Sequence, residues 1–366
     1  GGVAEILTRM VPLLNQLGVD ARWTTIKGNE EFFGVTKKFH NALHGRKEHI
    51  SSEDFSLFLE VNKNNIEELK FQGDIIFVHD PQPAALITEK KKHGEKWIWR
   101  CHIDVSNPDK RVWDFLRNFV LEYDAAVFSA PNFTQQLPIR QFLISPSIDP
   151  LSDKNKELSS ETIDSVLSKY GLNKDKPIIA QISRFDYLKD PVGVIQAFEM
   201  VRKNMSCQLV LAGGTATDDP ESEKVLEEVR ERASGNPDIH ILLIPPESDI
   251  EINALQRAAA VILQKSIKEG FGLTVTEALW KGKPVVASAV GGIQLQLKNK
   301  ITGLLCHSIE GAAYAIKRLL SNPEYAVWLG KNAREHVRQN FLITRHLKDY
   351  LLLFISLYYS SDEIYL

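Results

Sequence analysis

The sequence predicts an α/β protein built as two doubly wound, Rossmann-like domains, on three observations. With 366 residues and 43% hydrophobic content, the chain is long enough for two cores of about 150 residues each and too apolar to be disordered. Short β-rich runs alternate with helical stretches, the pattern of parallel sheets joined by crossover helices. A polar, charged stretch from Pro150 to about Lys176 divides the alternation into two sets and places the domain boundary near Asp149.

The first element is a helix, because Val3, Ile6, Leu7, Met10, Leu14 and Leu17 recur at helical spacing and Gly18 supplies a stop. It opens on Gly1-Gly2, and a glycine-headed helix in an α/β domain ordinarily follows a strand. A first strand is therefore expected before Gly1, and the sequence reads as a trimmed piece of a longer chain. Strands are expected at 21–26, 74–80, 96–104, 124–130 and 142–149, with helices between most of them. After a helix over 160–170, strands follow at 177–183, 208–214, 239–245, 260–266 and 284–290. The apolar run from Tyr350 to Tyr359 is half of the roughly twenty residues a membrane span needs, so it belongs to a buried last helix, about 342–359, packing back toward the first domain. The expected division is thus 1–149 (first strand missing), 150–341 and 342–366. Ligands of open α/β sheets lie at the carboxyl ends of the strands, and two domains facing a central cleft would share one such site.

Composition excludes several classes of function. Forty-four Lys and Arg against 47 Asp and Glu give a net charge of −3, which removes the attraction that nonspecific nucleic-acid binding or a polybasic membrane anchor requires. Three widely separated cysteines, Cys101, Cys207 and Cys306, offer neither a disulfide framework nor a metal knuckle and fit a reducing, cytoplasmic setting. No GxGxxG follows any strand, which argues against a nicotinamide enzyme.

Four constellations at strand ends carry chemistry. In Lys268-Glu269-Gly270-Phe271-Gly272-Leu273-Thr274-Val275-Thr276-Glu277, two carboxylates eight residues apart flank a glycine turn, with Glu269 at a strand end and Glu277 in the first turn of a helix over 275–281. Carboxylates accept hydrogen bonds from vicinal hydroxyls, and the backbone N–H groups of 272–275 attract phosphate, so the block suits a polyhydroxy phosphate ligand; the alternative is a solvent-facing turn. In SRFDYLKD, Arg184 and Lys189 at the mouth of a sheet are able to clamp a diphosphate without a metal, or simply to be solvated. His102 stands just past the run WIWRC, where it reaches a sugar hydroxyl or satisfies a loop carbonyl; in the preceding strand end VHDPQP, His79 reads as structural and Asp80 as a contact to a second substrate. Gly291-Gly292 and Gly1-Gly2 are loops or tight turns open to close approach.

Taken together these blocks resemble the retaining, nucleotide-sugar-dependent glycosyltransferases of family four, which have the GT-B fold. The likeness covers nearly the whole chain, and within the family GGVAEIL, VHDPQPAAL, WRCHIDVS and EGFGLTVTEALWKGKPVVASAVGGI look most like the trehalose-forming synthases and, more distantly, the trehalose phosphorylases. The resemblance implies that 1–149 is an acceptor-side domain and 150–341 the nucleotide-sugar domain. It implies that Arg184 and Lys189 hold the diphosphate of an NDP-glucose, Glu277 the ribose, and Glu269 with Gly270, Phe271, Gly272 and Leu273 the donor glucose, the base lying near 243–246. His102 would sit beside the anomeric carbon and Gly1, Gly2 and Asp80 would contact substrate. The NDP-glucose is then a substrate, no cofactor or metal is required, and the partners are an NDP-sugar and a sugar acceptor, with a homodimer open as the assembly. A phosphorylase using inorganic phosphate and a noncatalytic sugar-nucleotide sensor are the competing readings.

Overall fold

The computed structural model describes residues 2–90, 94–214 and 221–359. The chain divides into two compact units, Gly1–Pro146 with Ile343–Leu366, and Ser147–Leu342.

Unit 1 opens with α1 (Gly2–Gln16), α2 (Glu30–Leu43) and α3 (Ser52–Glu68), followed by β1 (Ile75–His79), β2 (Lys96–Cys101), α4 (Lys110–Val120), β3 (Ala125–Phe128) and β4 (Arg140–Leu143). Local chemistry sets the helix starts: Ser51 and Asp54 form a reciprocal capping box on α3, and Asp109 caps α4. Among the described residues the strands form one parallel sheet in the order β1-β2-β3-β4. Alternation along β2 sends Trp99 toward Trp113 of α4, and Ile98 to the opposite face, into a cluster with Met10 and Leu14 of α1.

Unit 2 runs α5 (Ser160–Lys169), β5 (Ile178–Ile182), α6 (Pro191–Arg202), β6 (Gln208–Gly213), α7 (Glu221–Ala233), β7 (Ile239–Leu243), α8 (Asp249–Ala258), β8 (Val261–Gln264), α9 (Leu273–Trp280), β9 (Val285–Ser288), α10 (Ile293–Gln296), β10 (Leu304–Cys306), α11 (Ile309–Leu320) and α12 (Pro323–Asn340). Among the described residues the strands form a parallel sheet ordered β10-β9-β8-β5-β6-β7, and the order reverses beside β5. That reversal brings the ends of β5 and β8, which are distant in sequence, side by side. The chain then returns to unit 1 as α13 (Ile343–Tyr358), whose Ile343, Tyr350 and Leu353 pack on Ile98 and Val127.

Two expected strands are corrected, and one strand was not expected. Residues 21–26 form no strand: the segment is largely exposed and has no sheet neighbour, its ends being held by the side-chain amides of Asn15 and Asn65. β propensity does not make a strand where nothing pairs with it. The strand expected at 142–149 lies instead at Arg140–Leu143, and beyond Pro146, which lacks an N–H, only Ile148 makes an isolated bridge, to Leu342. β10 is three residues long and gives too short a signal to read. Among the described residues no helix is long and apolar enough to cross a membrane, and Cys101, Cys207 and Cys306 are buried free thiols.

Candidate active site

In unit 2 the site is built where β5 and β8 end. Gln181 of β5 ties the two following loops together: its Nε2 donates to the Lys189 carbonyl at 3.0 Å and its Oε1 accepts from the Lys265 N–H at 3.1 Å. Ile267 N–H also donates to the Leu188 carbonyl at 2.8 Å, and Lys265 pairs with Asp190. Asp190 sits at φ 49° and caps α6 through Gly193 N–H, which sharpens the turn after Lys189.

This stitching lays the Lys189 ammonium on Glu269, with Nζ 2.5 Å from Oε2. Ser266 Oγ donates to the same carboxylate oxygen at 3.0 Å, and Gln264 Nε2 donates to Ser266 Oγ at 3.0 Å. Glu269 is therefore buried, charge-paired and fixed in rotation. Arg184 is placed differently: it is half-exposed, with Nη2 3.9 Å from Asp186 Oδ2. The two basic residues of the SRFDYLKD block thus have separate acidic neighbours.

The glycine turn has a steric reason at each end. Gly272 adopts φ +83°, and a Cβ there would lie 3.2 Å from Glu269 Cγ. Gly292 N–H donates to the Gly270 carbonyl at 3.2 Å, and a Cβ on Gly292 would stand 2.6 Å from that oxygen and 2.8 Å from Phe271 Cα. Phe271 is buried against Phe341, and Gln296 Nε2 donates to its carbonyl. Leu273 begins α9 without a side-chain cap, which leaves first-turn N–H groups for a ligand.

Glu277 corrects the sequence reading. α9 starts at Leu273, two residues earlier than expected, so Glu277 stands in the second turn and is buried, with Gln256 Nε2 donating to its Oε2 at 3.1 Å. The early start reflects the left-handed Gly272, which turns the chain into the helix at once.

In unit 1, His79, Asp80 and His102 gather at the ends of β1 and β2. Asp80 has φ +73°, unusual for a residue with a side chain, and is held there by three bonds: its N–H donates to the Arg100 carbonyl at 2.8 Å, its carbonyl accepts from Trp99 Nε1 at 3.0 Å, and Oδ1 accepts from His102 N–H at 3.3 Å. Desolvation raises the Asp80 carboxyl to about 6, against the pull of that N–H and of Arg100. His79 Nδ1 and His102 Nε2 are 2.9 Å apart with stacked rings. Desolvation and the Arg100 charge lower His79 to about 3 and His102 well below its usual value, so both are neutral and one ring donates to the other. His79 is thus a direct partner of His102, and of His102's two ring nitrogens only Nδ1 lies outside this bond. Gly2 is the first residue of α1, and Gly1 lies outside the described residues.

Sequence reasoning missed several participants. Arg100 is wholly buried on the α13 face of the sheet; Nη2 meets Ser129 Oγ at 3.3 Å, while Nε and Nη1 have no protein acceptor. It is read in sequence as one more residue of an apolar strand. Ser266, Gln264 and Gln256 carry no motif at all, and the one signal for Lys281, also missed, is its i+4 spacing from Glu277. Among the described residues no group of three His, Cys, Asp or Glu side chains is arranged to hold a metal ion.

Two units, each built on a parallel sheet, are the architecture of the GT-B glycosyltransferases. The fold is shared with a UDP-forming α,α-trehalose-phosphate synthase from Burkholderia xenovorans at a TM-score of 0.75 and 17% identity, covering 96% of each chain. Residues 1–135 match the trehalose synthase N-terminal domain family and residues 163–336 the glycosyl transferases group 1 family. The chain is 46% identical over 357 residues to the trehalose synthase of Thermococcus litoralis, covering 96% of this chain and 86% of that one. It is 28% identical to a trehalose phosphorylase of Grifola frondosa, over 92% of this chain and 53% of that protein. The chain belongs to the trehalose synthase family of glycosyltransferases.

Proposed function

We propose that this enzyme is a retaining hexosyltransferase that moves glucose from an NDP-glucose to a sugar acceptor, with glucose as the acceptor and trehalose as the product. The observation that carries the reading is the meeting of Lys189, Ser266 and Glu269 at the adjoining ends of β5 and β8, one glycine turn from Glu277. Glu277 accepts the ribose hydroxyls. Glu269 and the N–H groups of 271–273 receive the donor glucose, and Lys189 with Arg184 neutralises the diphosphate. The acceptor hydroxyl oxygen forms its bond to the anomeric carbon on the face from which the phosphate oxygen departs, and its proton passes to that oxygen. The bond broken is C1–O of the phosphate ester, so no carboxylate nucleophile is needed. His102 contacts a donor hydroxyl beside that carbon through Nδ1, with Nε2 engaged by His79. Asp80 serves the acceptor, and charge stabilisation comes from side chains without a metal.

The test is incubation with UDP-glucose or ADP-glucose and a panel of acceptors, following free nucleotide and disaccharide. Trehalose formed from glucose supports the reading, and nucleotide release with no new disaccharide for any acceptor refutes it. The phosphorylase reading, favoured by the Grifola frondosa likeness, predicts stabilisation by inorganic phosphate and none by UDP or ADP.

A further inference from the structure

We propose that Lys281, acting through Gln256, is a positioning residue that turns the Glu277 carboxylate toward the ribose. The inference rests on the reading of Glu277 as the ribose contact. Asn155, Gln256, Glu277 and Lys281 are all buried, Lys281 being the most open at 8%. The Lys281 ammonium donates to Asn155 Oδ1 at 3.1 Å, to Gln256 Oε1 at 2.7 Å and to the Glu277 carbonyl at 3.4 Å. Gln256 Nε2 then donates to Glu277 Oε2 at 3.1 Å.

The direction of this chain follows from donor and acceptor inventory. An ammonium has three donors and no acceptor, so it admits only the oxygen end of the Gln256 amide. The NH₂ end is left for the carboxylate. Gln256 Nε2 also donates to the Thr274 carbonyl at 3.4 Å; with an apolar group at 281 the amide oxygen loses its charged donor and is buried without it, and the grip on the Glu277 carboxylate loosens. An ionised carboxylate only accepts, and ribose hydroxyls are donors that suit it. Asn155 anchors the ammonium from outside the helix: its Nδ2 donates to the Asp149 carbonyl at 3.0 Å and to Ser152 Oγ at 3.2 Å, so its oxygen faces Lys281. A merely structural lysine would need only to close the last turn of α9, and the experiment separates the two roles.

Affinities of UDP, 2′-deoxy-UDP, ADP and 2′-deoxy-ADP are measured by calorimetry on the whole chain for wild type, Glu277→Gln, Lys281→Met, Lys281→Arg and Gln256→Leu, with kcat and KM for the donor. The wild type is expected to bind a ribonucleotide about tenfold more tightly than its 2′-deoxy partner, the worth of a hydrogen bond to a charged group. That ratio should fall to near one in Glu277→Gln, Lys281→Met and Gln256→Leu and recover in part in Lys281→Arg, with donor KM raised and kcat little changed. A wild-type ratio near one for both bases would overturn the ribose reading and the inference with it. A collapsed ratio in Glu277→Gln that persists at wild-type level in Lys281→Met or Gln256→Leu would overturn the positioning role alone. Gln256→Leu keeps both charges and decides the matter if Lys281→Met does not fold.

Discussion

Replacing Lys189 by Met separates the two things its ammonium does. At 2.5 Å from Glu269 Oε2, and with an effective dielectric of about 20, the gross attraction is about 7 kcal/mol. Desolvation of two largely buried side chains, 18% and 9% exposed, offsets most of it. Removing only the cation leaves Glu269 buried with the Ser266 hydroxyl donating to it, and such orphaned charges cost about 3 kcal/mol of stability. The second effect is on rate: a cation that neutralises the departing diphosphate is worth about 3 kcal/mol in the transition state, roughly a hundredfold in kcat. Lys189→Met should therefore lose both, whereas Lys189→Met with Glu269→Gln, which removes the orphaned charge, should recover most of the stability and none of the turnover. Urea titrations give the first quantity, and steady-state rates with UDP-glucose or ADP-glucose, in EDTA and in added Mg²⁺, give the second. Turnover near wild type in the single variant would refute the reasoning, as would recovered turnover in the double variant or a wild-type enzyme that stops in EDTA.

Arg184→Ala should lower turnover while changing stability by less than about 0.5 kcal/mol, because the side chain is half-exposed; a large loss of stability would show a structural role. Glu277→Ala should raise the nucleotide Kd, while Glu269→Ala should mainly lower kcat, since the first group touches a part of the donor that does not change in the reaction; equal loss of affinity and no loss of rate in both would contradict this division. Gly292→Ala, whose Cβ would press on Gly270 O and Phe271 Cα, should lower turnover by displacing the Glu269 loop, read as kcat in a variant that still melts cooperatively. Stability should fall as pH drops from 7 to 5. His79, lowered to about 3, and His102 and His346, lowered well below their usual range, bind protons in the unfolded chain near 6.5 but not in the fold, so each removes about 1.4 kcal/mol per pH unit. Asp80, raised to about 6, takes its proton first in the fold and offsets one of the three below that pH. A melting temperature that is flat from pH 7 to 5 would refute the burial argument, and His79→Gln should shallow the slope by one group.

The alternation of strands and helices was legible because each buried parallel strand must be apolar along its whole length, and runs such as PIIAQIS and AVILQKS satisfy that locally. The glycine turn with Glu269 and Glu277 was legible for a similar reason: Gly272 needs a left-handed backbone, and no other residue type meets that need without strain. Where a strand depends on a neighbour, the sequence misled. Residues 21–26 have β-rich composition and no partner, and the strand at 140–143 is fixed by its register with β3.

The site divides along the same line. Residue types and spacing by themselves determined which side chains stand at strand ends: His102, Arg184, Lys189 and Glu269. Only the tertiary structure decided their partners. Lys189 and Glu269 are eighty residues apart in sequence and meet because β5 and β8 are neighbours in the sheet. His79 and His102 meet because β1 pairs with β2 in a register that sets His79 opposite Arg100. Gln256, on α8, reaches Glu277 on α9 by the same kind of crossing. Hydrogen bonds and ion pairs act over a few ångströms between groups that sheet order brings together, and sheet order is set by the packing of the whole unit, which no local window of sequence contains.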